Sequence, residues 1–128
     1  MAQGVITKAG RKKLCMAHAG DDALPKITQM AFGSGGVDSG GAVIDTTGEE
    51  TALKAELLKK NIDSHSYPDD DQTTCRYTVR LSKEELANQS ISEQGLFDEE
   101  GTLIAYKTFL PKGKDGDMEF VFDMDEIF

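Results

Sequence analysis

Two cysteines and two histidines, Cys15, His18, His65 and Cys75, supply the ligand number of a tetrahedral zinc site. Cys15 and His18 are three residues apart, on one face of a helix if one forms there, but His65 and Cys75 are ten apart. Structural zinc takes Cys-x₂₋₄-Cys or His-x₃₋₅-His pairs, so only half of the pattern is present. The plainer reading makes both cysteines small core residues and leaves the histidines near the surface. Asp69-Asp70-Asp71 suggests a hard cation, yet consecutive carboxylates splay apart and no EF-hand spacing follows. A solvated loop fits them better. Gly33-Ser34-Gly35-Gly36 suggests a phosphate cradle, but no helix starts directly after it and the Gly-x-x-x-x-Gly-Lys-Ser/Thr pattern is absent. Glycoside hydrolysis needs two carboxylates in a shaped cleft, one with a raised pKa. Acids are plentiful here, but nothing singles out a pair. No Ser-His-Asp or Cys-His signature is present either. No catalytic residue, cofactor or metal is expected.

The elements that would position such groups follow from pattern. Thr7 predicts an N-cap, residues 8–19 a helix, and Gly20 its left-handed stop. Gly10 weakens that helix by about 1 kcal/mol relative to Ala, which implies a close backbone contact there. Leu14, Ala17 and His18 would form the inner stripe. Residues 27–32 read as a strand, and residues 33–48, with six of the thirteen glycines, as a mobile loop. Thr47 and Glu50 form a capping box, and Leu53, Leu57 and Leu58 predict one face of a second helix running to Asn61. Cys75, Tyr77, Val79 and Leu81 alternate with Thr74, Arg76, Thr78 and Arg80, the pattern of a half-buried antiparallel strand. Ser82 and Glu85 predict a short capped helix. Residues 90–97 and 102–110 read as a hairpin around Asp98-Glu99-Glu100-Gly101. Residues 111–117 read as a turn and 118–123 as a last strand. The order predicts an α+β fold: one antiparallel sheet with two main helices packed on one face.

Composition bounds the function. The 128 residues suit a single domain, residues 1–128, since two halves would each have marginal cores. The chain is 38% hydrophobic and 29% charged. That is the composition of a folded, soluble chain. No apolar run approaches the ~20 residues of a membrane helix, so no membrane partner is expected. The net charge of −9 repels a phosphate backbone, so nucleic acid is not an expected partner. Yet Lys8, Arg11, Lys12 and Lys13 put four cations and no acid in the first 13 residues. Residues 14–19 are too short and polar for a signal peptide, and Lys12 and Lys13 do not suit a lipoprotein signal before Cys15. The chain is expected to be made in the cytoplasm. One bridge between the two cysteines is compatible with their number, but that compartment keeps thiols reduced.

Three stretches resemble a known family. They are Ile6-Thr7-Lys8-Ala9-Gly10 followed by Ile27 and Phe32-Gly33-Ser34-Gly35; Leu53-Lys54-Ala55-Glu56; and, most specific, Glu93-Gln94-Gly95-Leu96-Phe97-Asp98-Glu99-Glu100-Gly101-Thr102-Leu103-Ile104-Ala105. Together they are similar to the N-terminal domain of the phage tail-collar fibre family, and the similarity extends from about Ile6 to the last strand. In the specific run, Leu96 and Phe97 supply apolar surface, Gly101 permits positive φ, and Leu103 and Ala105 would share one strand face. Gln94 replaces a commonly apolar residue, which implies a more exposed face.

The resemblance implies a structural virion component that attaches a tail fibre to the baseplate, located in the virion tail. Its partners would be other tail or baseplate proteins and tail-fibre subunits, with a homotrimer as the expected assembly. Fibres of this family continue into a shaft and tip, whereas this sequence stops at Phe128. A stand-alone adaptor or the anchoring part of a split fibre is therefore expected. A small glycan hydrolase acting on the cell surface is the alternative. Three copies would bring 27 excess negative charges together, so the cationic segment of Lys8, Arg11, Lys12 and Lys13 is the expected protein-binding surface. The plainer reading makes those side chains the solvated face of the first helix.

Overall fold

A computed structural model describes residues 4–128. The chain runs β1 (Val5–Ile6), α1 (Lys8–His18), β2 (Ile27–Gly33), β3 (Glu56–Asn61), β4 (Ser64–Ser66), β5 (Thr74–Leu81), β6 (Gln89–Asp98), β7 (Leu103–Lys114) and β8 (Phe120–Ile127). All pairings between these strands are antiparallel, in a five-stranded sheet ordered β1-β7-β6-β2-β3 and a three-stranded sheet ordered β4-β5-β8. The α+β class holds, but with two sheets and, among the described residues, one helix rather than two.

The main core lies between the sheets. Met30 and Phe32 of β2, Ile91 and Leu96 of β6 and Ala105 of β7 meet Val79 and Leu81 of β5 and Phe122 and Met124 of β8. The Phe32 and Phe122 rings lie 4.9 Å apart. A second cluster joins Ala31, Phe97, Leu103 and Tyr106 of the larger sheet with Leu53, which precedes β3. Both faces of β6 are therefore buried, from Ile91 through Asp98.

The alternation read in residues 74–81 is the register of β5 against β8: Val79 and Leu81 point inward, while Arg76 and Thr78 reach Asp125 and Asp123 on the outer side. The 98–101 turn also forms, with Gly101 at φ +82°. Gly20 ends the α1 segment at φ +81°.

The second helix does not form. Half of the Thr47–Glu50 box is made: Glu50 accepts from Thr47 N at 2.9 Å and Gly48 N at 2.8 Å, but the Thr47 hydroxyl accepts from Glu49 N, and the chain then bends its way into β3 without a helical turn. Strand period separates the leucines that helical spacing had grouped. Leu53 is buried in the second cluster, Leu58 packs against the inter-sheet core, and Leu57 is exposed. Pairing of β3 with β2 overrides the local preference. The same happens after Ser82. Its N–H donates to Glu85 at 2.9 Å. Leu86 and Asn88, however, take φ of 54° and 64°. Left-handed backbone at those two positions stops any helix.

Strand limits differ too. β7 runs on to Lys114, because an irregularity in its pairing with β6 accommodates Pro111 outside the regular ladder. β8 extends to Ile127. Leu103 and Ala105 do not share a face: Leu96 pairs with Ala105 but Phe97 pairs with Leu103, so Ile104 is the extra residue of a bulge and its neighbours join different clusters. Gln94 is 2% exposed, not a mark of an open face, and its side-chain amide donates to Met30 Sδ at 3.4 Å.

Candidate functional site

The motif residues form three hydrogen-bonded joints. At the first, Thr7 is fully buried. Its backbone N–H donates to Ile104 O at 2.8 Å and its hydroxyl donates to Leu103 O at 2.6 Å, while the hydroxyl oxygen accepts from Gly10 N at 3.1 Å. Thr7 thus caps α1 and fastens it to β7. A Cβ at Gly10 would stand 2.7 Å from Ile104 O, so the expected close backbone contact exists.

The second joint is the fully buried Glu93. Its Oε1 accepts from Lys54 N at 2.9 Å and from the Tyr106 hydroxyl at 2.6 Å. Its Oε2 accepts from Gly35 N and Ala55 N, both at 2.8 Å. One carboxylate therefore ties together the Gly-Ser-Gly segment after β2, the Leu53-Lys54-Ala55-Glu56 segment and β7. Gly33 and Gly35 leave the room it needs, since a Cβ on either would lie 2.5 or 2.7 Å from Oε2. Burial, then the hydrogen bond to Glu93, push the Tyr106 phenol well above its ordinary pKa.

The third joint closes the hairpin. Asp98 Oδ1 accepts from Glu100 N and Thr102 N, both at 3.0 Å, and Oδ2 accepts from Lys13 Nζ at 2.6 Å. Lys13 also reaches Glu100 at 2.9 Å and Thr102 Oγ1 at 3.0 Å. Burial pushes the Asp98 carboxyl up, but the Lys13 ammonium and the turn amides outweigh it and hold the pKa below its usual value. Desolvation lowers the Lys13 pKa, and its bonds to Asp98 and Glu100 more than reverse that.

The four cations of the first helix separate accordingly. Lys13 turns inward to the hairpin. Lys8, Arg11 and Lys12 are exposed. Lys8 lies 4.0 Å from Glu49 across open solvent, Arg11 donates to Ile6 O at 3.2 Å, and Lys12 makes no ion pair among the described residues.

The other candidates are scattered. Cys15 and His18 are exposed on α1, so neither belongs to a core or to the helix's inner stripe; that stripe is Gly10, Lys13, Leu14 and Ala17. His65 is exposed on β4, and Cys75 is half-buried on β5. Both thiols are free. Among the described residues no group of three or more His, Cys, Asp or Glu side chains is placed to hold a metal. Asp69 ends its loop by accepting from Thr73 Oγ1 at 2.8 Å and Thr74 N at 3.3 Å, and Asp70 and Asp71 are exposed. The glycine loop is fastened rather than free: Val37 pairs with Val43, Asp38 accepts from Gly40 N and Ala42 N, and Thr108 donates to Ile44 O at 2.7 Å.

Glu93 and the inward role of Lys13 were missed from sequence. The available signal was an acid standing in a run of strand residues with no polar alternation, matched by a glycine pair with nothing to pack.

These joints hold backbone segments to one another in an α+β fold of two antiparallel sheets and one helix among the described residues. The chain belongs to the phage tail-collar fibre family: residues 1–115 match the model of the phage tail-collar fibre protein N-terminal region. No curated protein and no solved structure matches it. Membership of this structural family makes the chain a tail-fibre component of the phage virion tail, in contact with other phage tail proteins.

Proposed function

We propose that the chain, as one attachment domain, fastens a tail fibre to the baseplate through the exposed face of α1, with Lys8, Arg11 and Lys12 meeting an acidic partner surface and Lys13 holding the helix in place. The observation that carries this reading is the division of labour on α1. Three cations point to solvent on a chain of net charge −9, while the helix beneath them is fixed to β7 and to the hairpin. A rigid cationic patch on an acidic protein favours a specific acidic partner and penalises self-association elsewhere. In the assembled tail the domain sits at a threefold site as a homotrimer. Its role is mechanical and it turns over no substrate.

Immunogold labelling of purified tails tests the placement. Gold is expected where the fibre root meets the baseplate; label at the distal fibre end, or none on intact tails, contradicts it.

A further inference from the structure

A cleft of about 580 Å³ opens where α1 and the chain entering β2 face the end of the three-stranded sheet. Leu14, Pro25, Ile62, Tyr67, Tyr77 and Phe128 make its walls mostly apolar and aromatic. Glu126 lies among them. It follows Phe122 and Met124 on the inward side of β8, opposite Cys75, and is only 7% exposed. Its Oε1 accepts one long hydrogen bond, from the Tyr77 hydroxyl at 3.4 Å. Its Oε2 accepts none from the protein among the described residues and is open to solvent.

Buried carboxylates are normally well supplied with donors, as Glu93 is with four. Nearby cations do not serve Glu126. Lys26 lines the cleft but makes no ion pair with it among the described residues, and Arg76 is committed to Asp125 at 2.9 Å on the outer face. Burial, eased only in part by Tyr77, holds the Glu126 carboxyl above its ordinary pKa.

We infer that this cleft binds the side chain of an arginine from a partner polypeptide, its guanidinium donating to Glu126 Oε2 and its apolar stem lying against the aromatic walls. A planar, weakly hydrated cation fits an aromatic cleft better than a compact ammonium, because it stacks on rings and pairs with a carboxylate by parallel hydrogen bonds. The excess negative charge of the chain favours a cationic guest. This site is separate from the exposed face of α1 and stands whether or not that face docks.

The ¹⁵N-labelled 128-residue chain, titrated with n-butylguanidinium, provides the test. Saturable amide shifts are expected around Cys75, Tyr77 and Glu126. n-Butylammonium should bind at least about fivefold more weakly. Glu126→Gln should weaken guanidinium binding at least about tenfold. Tyr67 is an exposed side chain, so Tyr67→Ala leaves the fold intact. That variant should weaken binding about threefold. Absence of shifts at those amides, or unchanged binding in a folded Glu126→Gln chain, overturns the site. If Glu126→Gln does not fold, unchanged binding in Tyr67→Ala overturns it. Equal binding of the two cations overturns the assignment of arginine.

Discussion

Glu93 accepts four hydrogen bonds from three segments far apart in sequence, and removing its charge leaves those donors facing a poorer acceptor. Glu93→Gln should therefore cost about 3 kcal/mol or more, read as a lowered midpoint in urea denaturation. A change under about 1 kcal/mol would show that the carboxylate is not the joint described. At Gly10 two effects compete. Alanine gains about 1 kcal/mol of helix propensity. Its Cβ, however, would stand 2.7 Å from Ile104 O, a backbone atom that β7 holds in place. The clash should win, so Gly10→Ala lowers stability by about 1–3 kcal/mol; a raised melting temperature would mean that β7 yields. The contact at Gly10 was legible in the sequence because a glycine in a well-capped helix needs a reason. Glu93 was not, because the Tyr106 hydroxyl lies 13 residues away and its three amide donors 38 to 58, so an acid standing among strand residues does not say what it binds.

At the level of elements, the 98–101 hairpin and α1 stabilise each other through Asp98 and Lys13. The Asp98 pKa is depressed in the folded chain, so its contribution is present above its unfolded value and is lost as pH falls through the folded one. Melting temperature should drop on acidification below about pH 4, and Lys13→Met should flatten that part of the profile. An identical acid limb in the variant would contradict the coupling. In the same turn, Gly101 sits at φ +82°. Gly101→Val places a β-branched residue in that left-handed region and should cost about 1–3 kcal/mol by thermal melting. The elements differ in how far sequence revealed them. Strand β5 was legible because one face is polar and alternation shows it. Residues 47–61 were not, because the Thr47–Glu50 bonds form equally well ahead of a chain without a helical turn. The leucine spacing fits a helix locally, but Glu93 takes the amides of Lys54 and Ala55 and the edge of β2 pairs with residues 56–61, so no helical turn forms. The bulge at Ile104 likewise depends on pairing with β6, which the strand's own residues do not announce.

For the whole molecule, the two-sheet core sets the frame and α1 carries three exposed cations on one helix. Its family places it in the phage tail, and the exposed Lys8, Arg11 and Lys12 give the docking proposal its test. Reversing Lys13 as well would confound that test by breaking its bonds to Asp98 and Glu100, so the useful variant leaves it intact. The most direct measurement is the amount of the Lys8→Glu, Arg11→Glu, Lys12→Glu chain incorporated into assembled tails, with its melting temperature followed in parallel. The account predicts at least about a tenfold loss of incorporation with little change in melting temperature, since those side chains are exposed. Incorporation at the level of the unaltered chain would contradict it.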